Sequence, residues 1–198
     1  GRRPLHKLPL GAVRPAGWLR HQLDLMVGGM TGRLSEISKY LAPENGWLGG
    51  EGEGWEEQPY WLRGFYSLAA LTGDERCLVE ARRWMEAVLT SQTPEGYFGA
   101  RFHRRLRRPD GSHACDLWPH MVMLDAVVRH HEFTGDARVV PFMERFFEFC
   151  RRLPDDEFLP GPVPSDDWKI KRVQVQRRRA RAAQAGGALH HVAHHLQV

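Results

Sequence analysis

Two copies of the tripeptide Thr-Gly-Asp, 62 residues apart, constrain the fold of this chain more than any other feature. Each copy separates two segments with helical spacing of apolar residues. A helix predicted over 60–72 ends at Gly73, and one predicted over 117–134 ends at Gly135. An aspartate begins the segment that follows each glycine, and an arginine comes two residues after each aspartate. The sequence therefore predicts a repeated helical hairpin.

The helices before and after these turns differ in the distribution of their apolar residues. Apolar side chains cover most of the circumference of the helix over 117–134, whereas the helices after the turns keep a charged face. This contrast predicts inner helices buried on nearly all sides and outer helices with one exposed face. The expected fold is all-α, an α/α toroid, in which the long loops over 46–54 and 93–111 meet at one mouth. We expect a ligand site at that mouth.

The amino-terminal segment is predicted to contain two further helices. Apolar residues at 3.6-residue spacing predict the first from Ala16 to about Met30, with a mostly apolar face that includes Trp18 and Leu25. A short second helix is expected over Leu34–Leu41, before Pro43.

Composition excludes a wholly disordered chain and favours a compact domain. Of 198 residues, 42% are hydrophobic and seven are tryptophan, and no run of about 18 apolar residues would span a membrane. No signal peptide is visible in the sequence, and three scattered cysteines favour a reducing compartment. We therefore favour a cytoplasmic location without assigning one.

The stretch from Gly46 to Gly64, GWLGGEGEGWEEQPYWLRG, has the composition of a carbohydrate site. Five of its first nine residues are glycine, and carboxylates alternate with flat aromatic rings. Aromatic faces stack on sugars, carboxylates bind hydroxyl groups, and carboxylate pairs catalyse glycoside hydrolysis. An equally strong alternative is structural, in which the glycines form a turn, Pro59 starts a helix and the tryptophans are core.

This stretch, together with SQTPEGYFG from Ser91 to Gly99 and LWPHMVMLDAVVRHHEFTGD from Leu117 to Asp136, resembles the catalytic domain of glycoside hydrolase family 127, typified by β-L-arabinofuranosidases. The resemblance covers about Leu10 to Leu159. It implies that residues 1–164 are the amino-terminal part of an (α/α)6 barrel. It also implies an exo-acting, retaining hydrolase that releases terminal arabinofuranose or related sugars, with a carbohydrate as its substrate partner.

The resemblance implies that some family residues lie beyond this chain. In the family, a cysteine nucleophile is held on zinc by a glutamate and further cysteines, and a separate glutamate is the acid/base, all in the later part of the barrel. Cys77, Cys115 and Cys150 do not match the nucleophile's context. We therefore assign no catalytic residue and no cofactor to this fragment, expect zinc in the complete domain, and predict that the 198-residue chain alone has no hydrolase activity.

The resemblance also suggests which residues contact a sugar. The predicted substrate-binding residues are Glu51, Glu53, Trp55, Glu56, Trp118 and His120. For His120 the alternative is a structural histidine whose ring nitrogens bind loop carbonyls, and for Trp118 and Trp61 the alternative is a place in the core. Gln92, Glu95 and Gly96 are interpreted as a structural turn.

Two groups of residues contain side chains of the types that bind metal ions. His113, Cys115, Asp116 and His120 include zinc-binding side chains, but their spacing is irregular and the paired-cysteine pattern is absent. The histidines at 190, 191, 194 and 195 have helical spacing but follow two glycines and have no surrounding apolar core. We predict no metal site at either group.

The last 34 residues differ from the rest in charge. From Ser165 to Val198 there are seven Lys and Arg against two Asp, a balance of +5, whereas the other 164 residues carry 21 basic and 22 acidic side chains. The run RRRAR would attract phosphate backbones, which makes a helical-repeat protein that binds carbohydrate, or nucleic acid through its tail, the alternative function. No aromatic stacking platform accompanies this run, so we do not expect a nucleic-acid partner. A disordered extension is one alternative account of the tail, and an out-of-frame translation, which we favour as a hypothesis, fits its composition better.

Overall fold

A computed structural model describes residues 7–52, 54–107 and 111–157 of the chain. Glu53 and the basic tail lie outside these residues. The described part contains six α-helices and one two-stranded antiparallel sheet. The helices are α1 (Gly17–Gly28), α2 (Met30–Ile37), α3 (Glu57–Thr72), α4 (Glu75–Thr90), α5 (Trp118–Thr134) and α6 (Val139–Arg152), and the strands are β1 (Leu106–Arg107) and β2 (His113–Ala114).

The two Thr-Gly-Asp turns have the same geometry, which confirms the predicted repeat. Gly73 and Gly135 each follow a helix with φ of 70° and ψ of 17°, a left-handed conformation that favours glycine. The carboxylate of Asp74 accepts a hydrogen bond from the backbone N–H of Cys77 at 2.9 Å, and Asp136 accepts one from the N–H of Arg138 at 2.9 Å. Each turn therefore ends one helix and stabilises the start of the next.

The contrast between inner and outer helices is also confirmed. Helix α3 packs against α5, and no side chain of α5 before Phe133 is exposed. Helices α4 and α6 bury one face each and expose charged side chains on the other. The described part of the fold is thus mostly helical with hairpins of the expected kind, and the (α/α)6 barrel stays a prediction.

An aromatic cluster lies between α5, α6 and the loop that follows α4. The ring of Phe98 lies 4.7 Å from that of Phe142 and 4.8 Å from that of Phe146, and the His120 ring stacks on Phe146 with an angle of 10° between the planes. All four side chains are at most 1% exposed. Because aromatic side chains contribute most to core burial, this cluster fixes α6 against the loop.

The repeat arginines connect each hairpin to the one before it. The guanidinium of Arg76 donates to the backbone oxygens of Gly32 at 2.7 Å and Val27 at 2.9 Å, in α2 and α1. Arg138 donates to both carboxylate oxygens of Glu86, in α4, at 2.9 and 2.8 Å. The equivalent position in both repeats therefore bonds to the preceding pair of helices.

Several boundaries differ from the sequence-based predictions. Helix α2 begins at Met30 and ends at Ile37, and a short 3-10 helix, Lys39–Leu41, occupies the end of the segment expected over Leu34–Leu41. Helix α3 begins at Glu57, three residues before the predicted start, with Pro59 in its first turn, where a missing backbone N–H costs little. The loop over 93–111 is more structured than expected, because it holds a 3-10 helix, Arg101–Arg105, and strand β1.

The apolar face of α1 is not buried in the described structure. Helix α1 has no buried residue, and Trp18, Leu25 and Met26 on its predicted face are exposed. Met30 and Ile37 of α2 are exposed as well. No helix in 7–52, 54–107 or 111–157 has the length and hydropathy needed to span a membrane.

Candidate functional site

The glycine-rich loop packs tightly against its own chain. The backbone N–H of Gly52 donates to the carbonyl oxygen of Glu44 at 2.7 Å, and that of Gly50 donates to Asn45 at 3.0 Å. A Cβ added at Gly50 would overlap the Glu44 carbonyl. The close approach that this glycine permits is therefore to the backbone of Glu44 in the preceding turn, as the structural interpretation expects.

Trp47 fixes the glycine-rich loop against α5. Its side chain is fully buried, and its indole Nε1–H donates to the backbone oxygen of Trp55 at 3.0 Å. The Trp47 ring lies 5.3 Å from the His120 ring, so the loop rests directly on α5. A Cβ at Gly99 would overlap the Trp47 ring, which explains the glycine at that position.

Trp55 lies at the surface of the loop and is bonded to the start of α5. Its side chain is 39% exposed. Its indole Nε1–H donates to Oδ2 of Asp116 at 2.9 Å, and Oδ1 of Asp116 accepts from the backbone N–H of Trp118, also at 2.9 Å. One buried carboxylate thus joins the loop tryptophan to the first turn of an inner helix.

Glu56 is bonded to the same helix. Its Oε2 accepts a hydrogen bond from the indole Nε1–H of Trp118. Glu56 is partly buried and Trp118 is buried, so the pair closes the space between loop and helix. The structure therefore links three of the predicted substrate-binding residues. Glu56 bonds the Trp118 indole directly, and Trp55 is joined to the backbone of Trp118 through Asp116.

His120 lies deeper, two residues after Trp118 in the first turn of α5. It is fully buried, and its Nε2 lies 2.7 Å from the carbonyl oxygen of Phe98. Burial lowers the pKa of the imidazole to about 3, so the ring is neutral at pH 7, and we assign the proton to Nε2 because a carbonyl only accepts. This bond is the one that the structural alternative expects. Direct contact of His120 or Trp118 with a sugar stays a prediction.

The remaining predicted residues are on the loop itself. Glu51 is exposed and extends from the loop, while Glu53 lies outside the described residues. Glu57 is exposed in the first turn of α3, where the helix dipole favours a negative charge. Glu51, Trp55 and Glu56 are thus the predicted residues whose side chains reach the surface in the described structure.

Sequence reasoning missed two buried polar residues that hold the loop in place. His103 is 3% exposed, its Nε2 lies 2.8 Å from the carbonyl oxygen of Gly54, and desolvation lowers its pKa. Asp116, considered from sequence only as a metal ligand, is 6% exposed, and its backbone N–H donates to the oxygen of His103 at 2.8 Å. An aspartate two residues before a helix is a sequence signal for a bond to the first helical N–H, and Asp116 could have been recognised by it. No local sequence pattern indicated the role of His103.

The predicted structural turn after α4 is present. Nε2 of Gln92 donates to the oxygens of Gly96 at 3.1 Å and Phe142 at 2.8 Å, and its Oε1 accepts from Nε of Arg145 at 2.7 Å. The turn is thereby fixed to α6. Beside it lies an open groove of about 400 Å³ whose lining includes Glu95, Arg104 and Phe149.

The described residues do not fit a zinc site. Within the part of the chain that the structure describes, no three His, Cys, Asp or Glu side chains lie close enough together to hold a metal ion. The three cysteines are buried, and burial raises the pKa of Cys77 to about 11 and that of Cys115 to about 12. Zinc binds thiolates, which these environments disfavour. We therefore derive no step that involves zinc from these residues.

Comparison with known proteins adds one result to this geometry. Searches of curated proteins and of solved structures give no match. A model of the β-L-arabinofuranosidase, GH127 catalytic domain matches residues 36–159, which include the glycine-rich loop and α3 to α6 but not α1. The match begins later than the resemblance from Leu10 and ends at the same residue. Because it spans more than half of the chain, the chain belongs to glycoside hydrolase family 127.

Proposed function

We propose that this chain is the amino-terminal part of a β-L-arabinofuranosidase-like hydrolase and supplies one side of its sugar pocket. The observation that carries this proposal is the partly exposed indole of Trp55, flanked in sequence by carboxylates and bonded to an inner helix through Asp116. A fixed, half-exposed aromatic ring beside acidic groups is typical of carbohydrate sites. Family membership supports a carbohydrate as the ligand class.

The proposed roles follow from the position of each side chain. Trp55 stacks on the apolar face of a terminal furanose ring, and Glu51 and Glu56 accept hydrogen bonds from its hydroxyl groups. Trp118 holds the Glu56 carboxylate, and its indole donates a charge-assisted bond that is stronger than a neutral one. His120, uncharged, supports the loop through Trp47.

We further propose that the isolated chain binds sugar without hydrolysing it. Neither Cys77 nor Cys115 has an environment that favours a reactive thiolate, because burial raises the pKa of each thiol. Nucleophile, acid/base and zinc would belong to a complete family domain. Terminal arabinofuranosyl hydrolysis is accordingly a proposal for that complete domain.

Tryptophan fluorescence tests the binding proposal. Titration with methyl β-L-arabinofuranoside should change the emission of the purified 198-residue chain, and Trp55→Ala should abolish the change. Trp18→Ala is the matched control, because Trp18 is an exposed tryptophan on α1, outside the loop. Circular dichroism of each variant verifies that the helices are retained. A response that persists in Trp55→Ala, or its absence in the parent chain, would reject this site.

A further inference from the structure

Asp116 is buried and bonded in a way that neither its place before a helix nor the family match explains. It precedes α5 by two residues and is 6% exposed, although a buried aspartate requires partners for both oxygens. One oxygen bonds the first backbone N–H of the helix, and the other bonds the indole of Trp55, 61 residues away. A capping role accounts for the first bond and leaves the second unexplained.

The loop around Trp55 is already fixed on both sides of this residue. The carbonyl oxygen of Gly54 lies 2.8 Å from Nε2 of His103, and the carbonyl oxygen of Trp55 itself accepts from the Trp47 indole. These bonds hold the backbone on both sides of the side chain. The bond from Nε1 to Asp116 restrains the rotation of the Trp55 indole itself.

We propose that Asp116 is a positioning residue, whose carboxylate holds the indole of Trp55 in the orientation that stacks on a sugar ring. This inference rests on the proposed function. A ring that is oriented before binding loses less conformational freedom when the ligand arrives, so preorganisation increases affinity. Asp116 itself, buried behind the indole, acts through Trp55 and does not touch the sugar.

Asp116→Asn separates positioning from capping. The asparagine oxygen still accepts from the backbone N–H of Trp118, because Asn caps helices as well as Asp does. Its NH₂ group then faces the indole N–H, and two donors cannot bond each other. The substitution therefore removes the bond to Trp55 and retains the bond to the helix.

The first readout needs no ligand. In ¹H–¹⁵N spectra, the indole Nε1–H resonance of Trp55, assigned by its absence in Trp55→Phe, should shift and exchange with water at least about tenfold faster in Asp116→Asn. Asp74→Asn is the matched control, because Asp74 also accepts from a backbone N–H at the start of a helix, α4. It should leave the Trp55 resonance in place.

The second readout is affinity for methyl β-L-arabinofuranoside, measured by ligand-observed NMR so that loss of a tryptophan does not remove the signal. Asp116→Asn and Trp55→Phe should each weaken binding about tenfold, roughly the effect of one newly mobile side chain. The double variant should be no weaker than Trp55→Phe alone, because Asp116 acts through Trp55.

Two results would overturn the positioning role. One is a Trp55 indole resonance with unchanged shift and exchange rate in Asp116→Asn. The other is a double variant whose affinity falls by the product of the two single effects, since Asp116 would then act independently of Trp55. Absence of sugar binding by the parent chain would instead reject the proposed function, and the ligand-free spectra would still decide whether Asp116 orients the indole.

Discussion

At the scale of single residues, Gly99 provides a direct test of the packing beneath the loop. Its φ is +86°, and a Cβ there would overlap the Trp47 ring, whereas Gly49, with φ of +90°, has no heavy atom within 4 Å of an added Cβ among the described residues. Gly99→Ala should lower the free energy of unfolding by about 2–4 kcal/mol, and Gly49→Ala by about 1 kcal/mol from backbone strain alone. Urea denaturation measures both. Equal losses would contradict the close contact with Trp47.

The buried imidazole of His120 predicts a pH dependence of stability. Its folded-state pKa is about 3, below the value of about 6.5 in an unfolded chain. The unfolded state therefore binds the proton first as pH falls, and stability present above pH 6.5 is lost progressively down to about pH 3, by roughly 2–4 kcal/mol.

His120→Gln tests this linkage, because Gln keeps an N–H donor for Phe98 but does not titrate. The variant should lose less stability between pH 6.5 and 3 than the parent chain, as measured by denaturation at several pH values. His21→Gln, at an exposed position on α1, is the control and should retain the parent's slope. A parent-like slope in His120→Gln would show that other groups cause the dependence.

Part of the candidate site could be predicted at this scale and part could not. Trp55, Glu56 and Trp118 were identified from the resemblance, and the structure joins Glu56 to Trp118 directly. The link from Trp55 to Asp116 spans 61 residues, and no local pattern records a contact over that distance. His103 was invisible for the same reason, since its partner, Gly54, lies 49 residues away.

At the scale of helices, the sequence predicted the ends of α3 and α5 well because a positive-φ glycine terminates each. The carboxylates of Asp74 and Asp136 accept hydrogen bonds from backbone N–H groups near the start of the following helix, so the starts of α4 and α6 were also recognisable. The spacing of apolar residues predicted helix α1, which is present, but periodicity does not identify a partner for its apolar face. In the described residues that face has none that buries it.

The repeat arginines give a prediction about how hairpins connect. Arg76→Gln should loosen α1 and α2, because it removes the bonds to Val27 and Gly32. Amide exchange over 17–37 should become about tenfold faster, while the α3–α5 pair should change little. Arg82→Gln is the control, since Arg82 is an exposed arginine on α4 whose contact with Glu75 is long, at 3.5 Å. Unchanged exchange over 17–37 in Arg76→Gln would contradict the proposed connection.

At the scale of the whole molecule, stability should depend on the cluster between α5, α6 and the loop, and not on α1. Phe146→Ala removes a ring that is 1% exposed and should lower the free energy of unfolding by about 3–5 kcal/mol. Trp18→Ala removes a larger ring that is 78% exposed and should change it by less than about 0.5 kcal/mol. Urea denaturation again compares them, and a large loss for Trp18→Ala would mean that α1 is buried in solution.

The family match covers the part of the molecule on which stability should depend and leaves out α1. It begins at residue 36, beyond α1 and most of α2, and includes both hairpins and the loop that they support. The proposed sugar-binding residues all lie within it. Within the matched region, the glycine-rich loop packs on the second hairpin through the contact of Trp47 with His120 of α5.

Ligand-observed NMR of the purified chain with methyl β-L-arabinofuranoside tests the central claim most directly, because saturation transfer reports binding and the sugar's own resonances report turnover. We expect saturation transfer to the furanose protons with the parent chain, its loss with Trp55→Ala, and an intact glycoside after prolonged incubation. Absence of transfer with the folded parent chain would contradict the proposed pocket. Release of free arabinose at a rate proportional to protein concentration would contradict the proposal that this chain binds without hydrolysing.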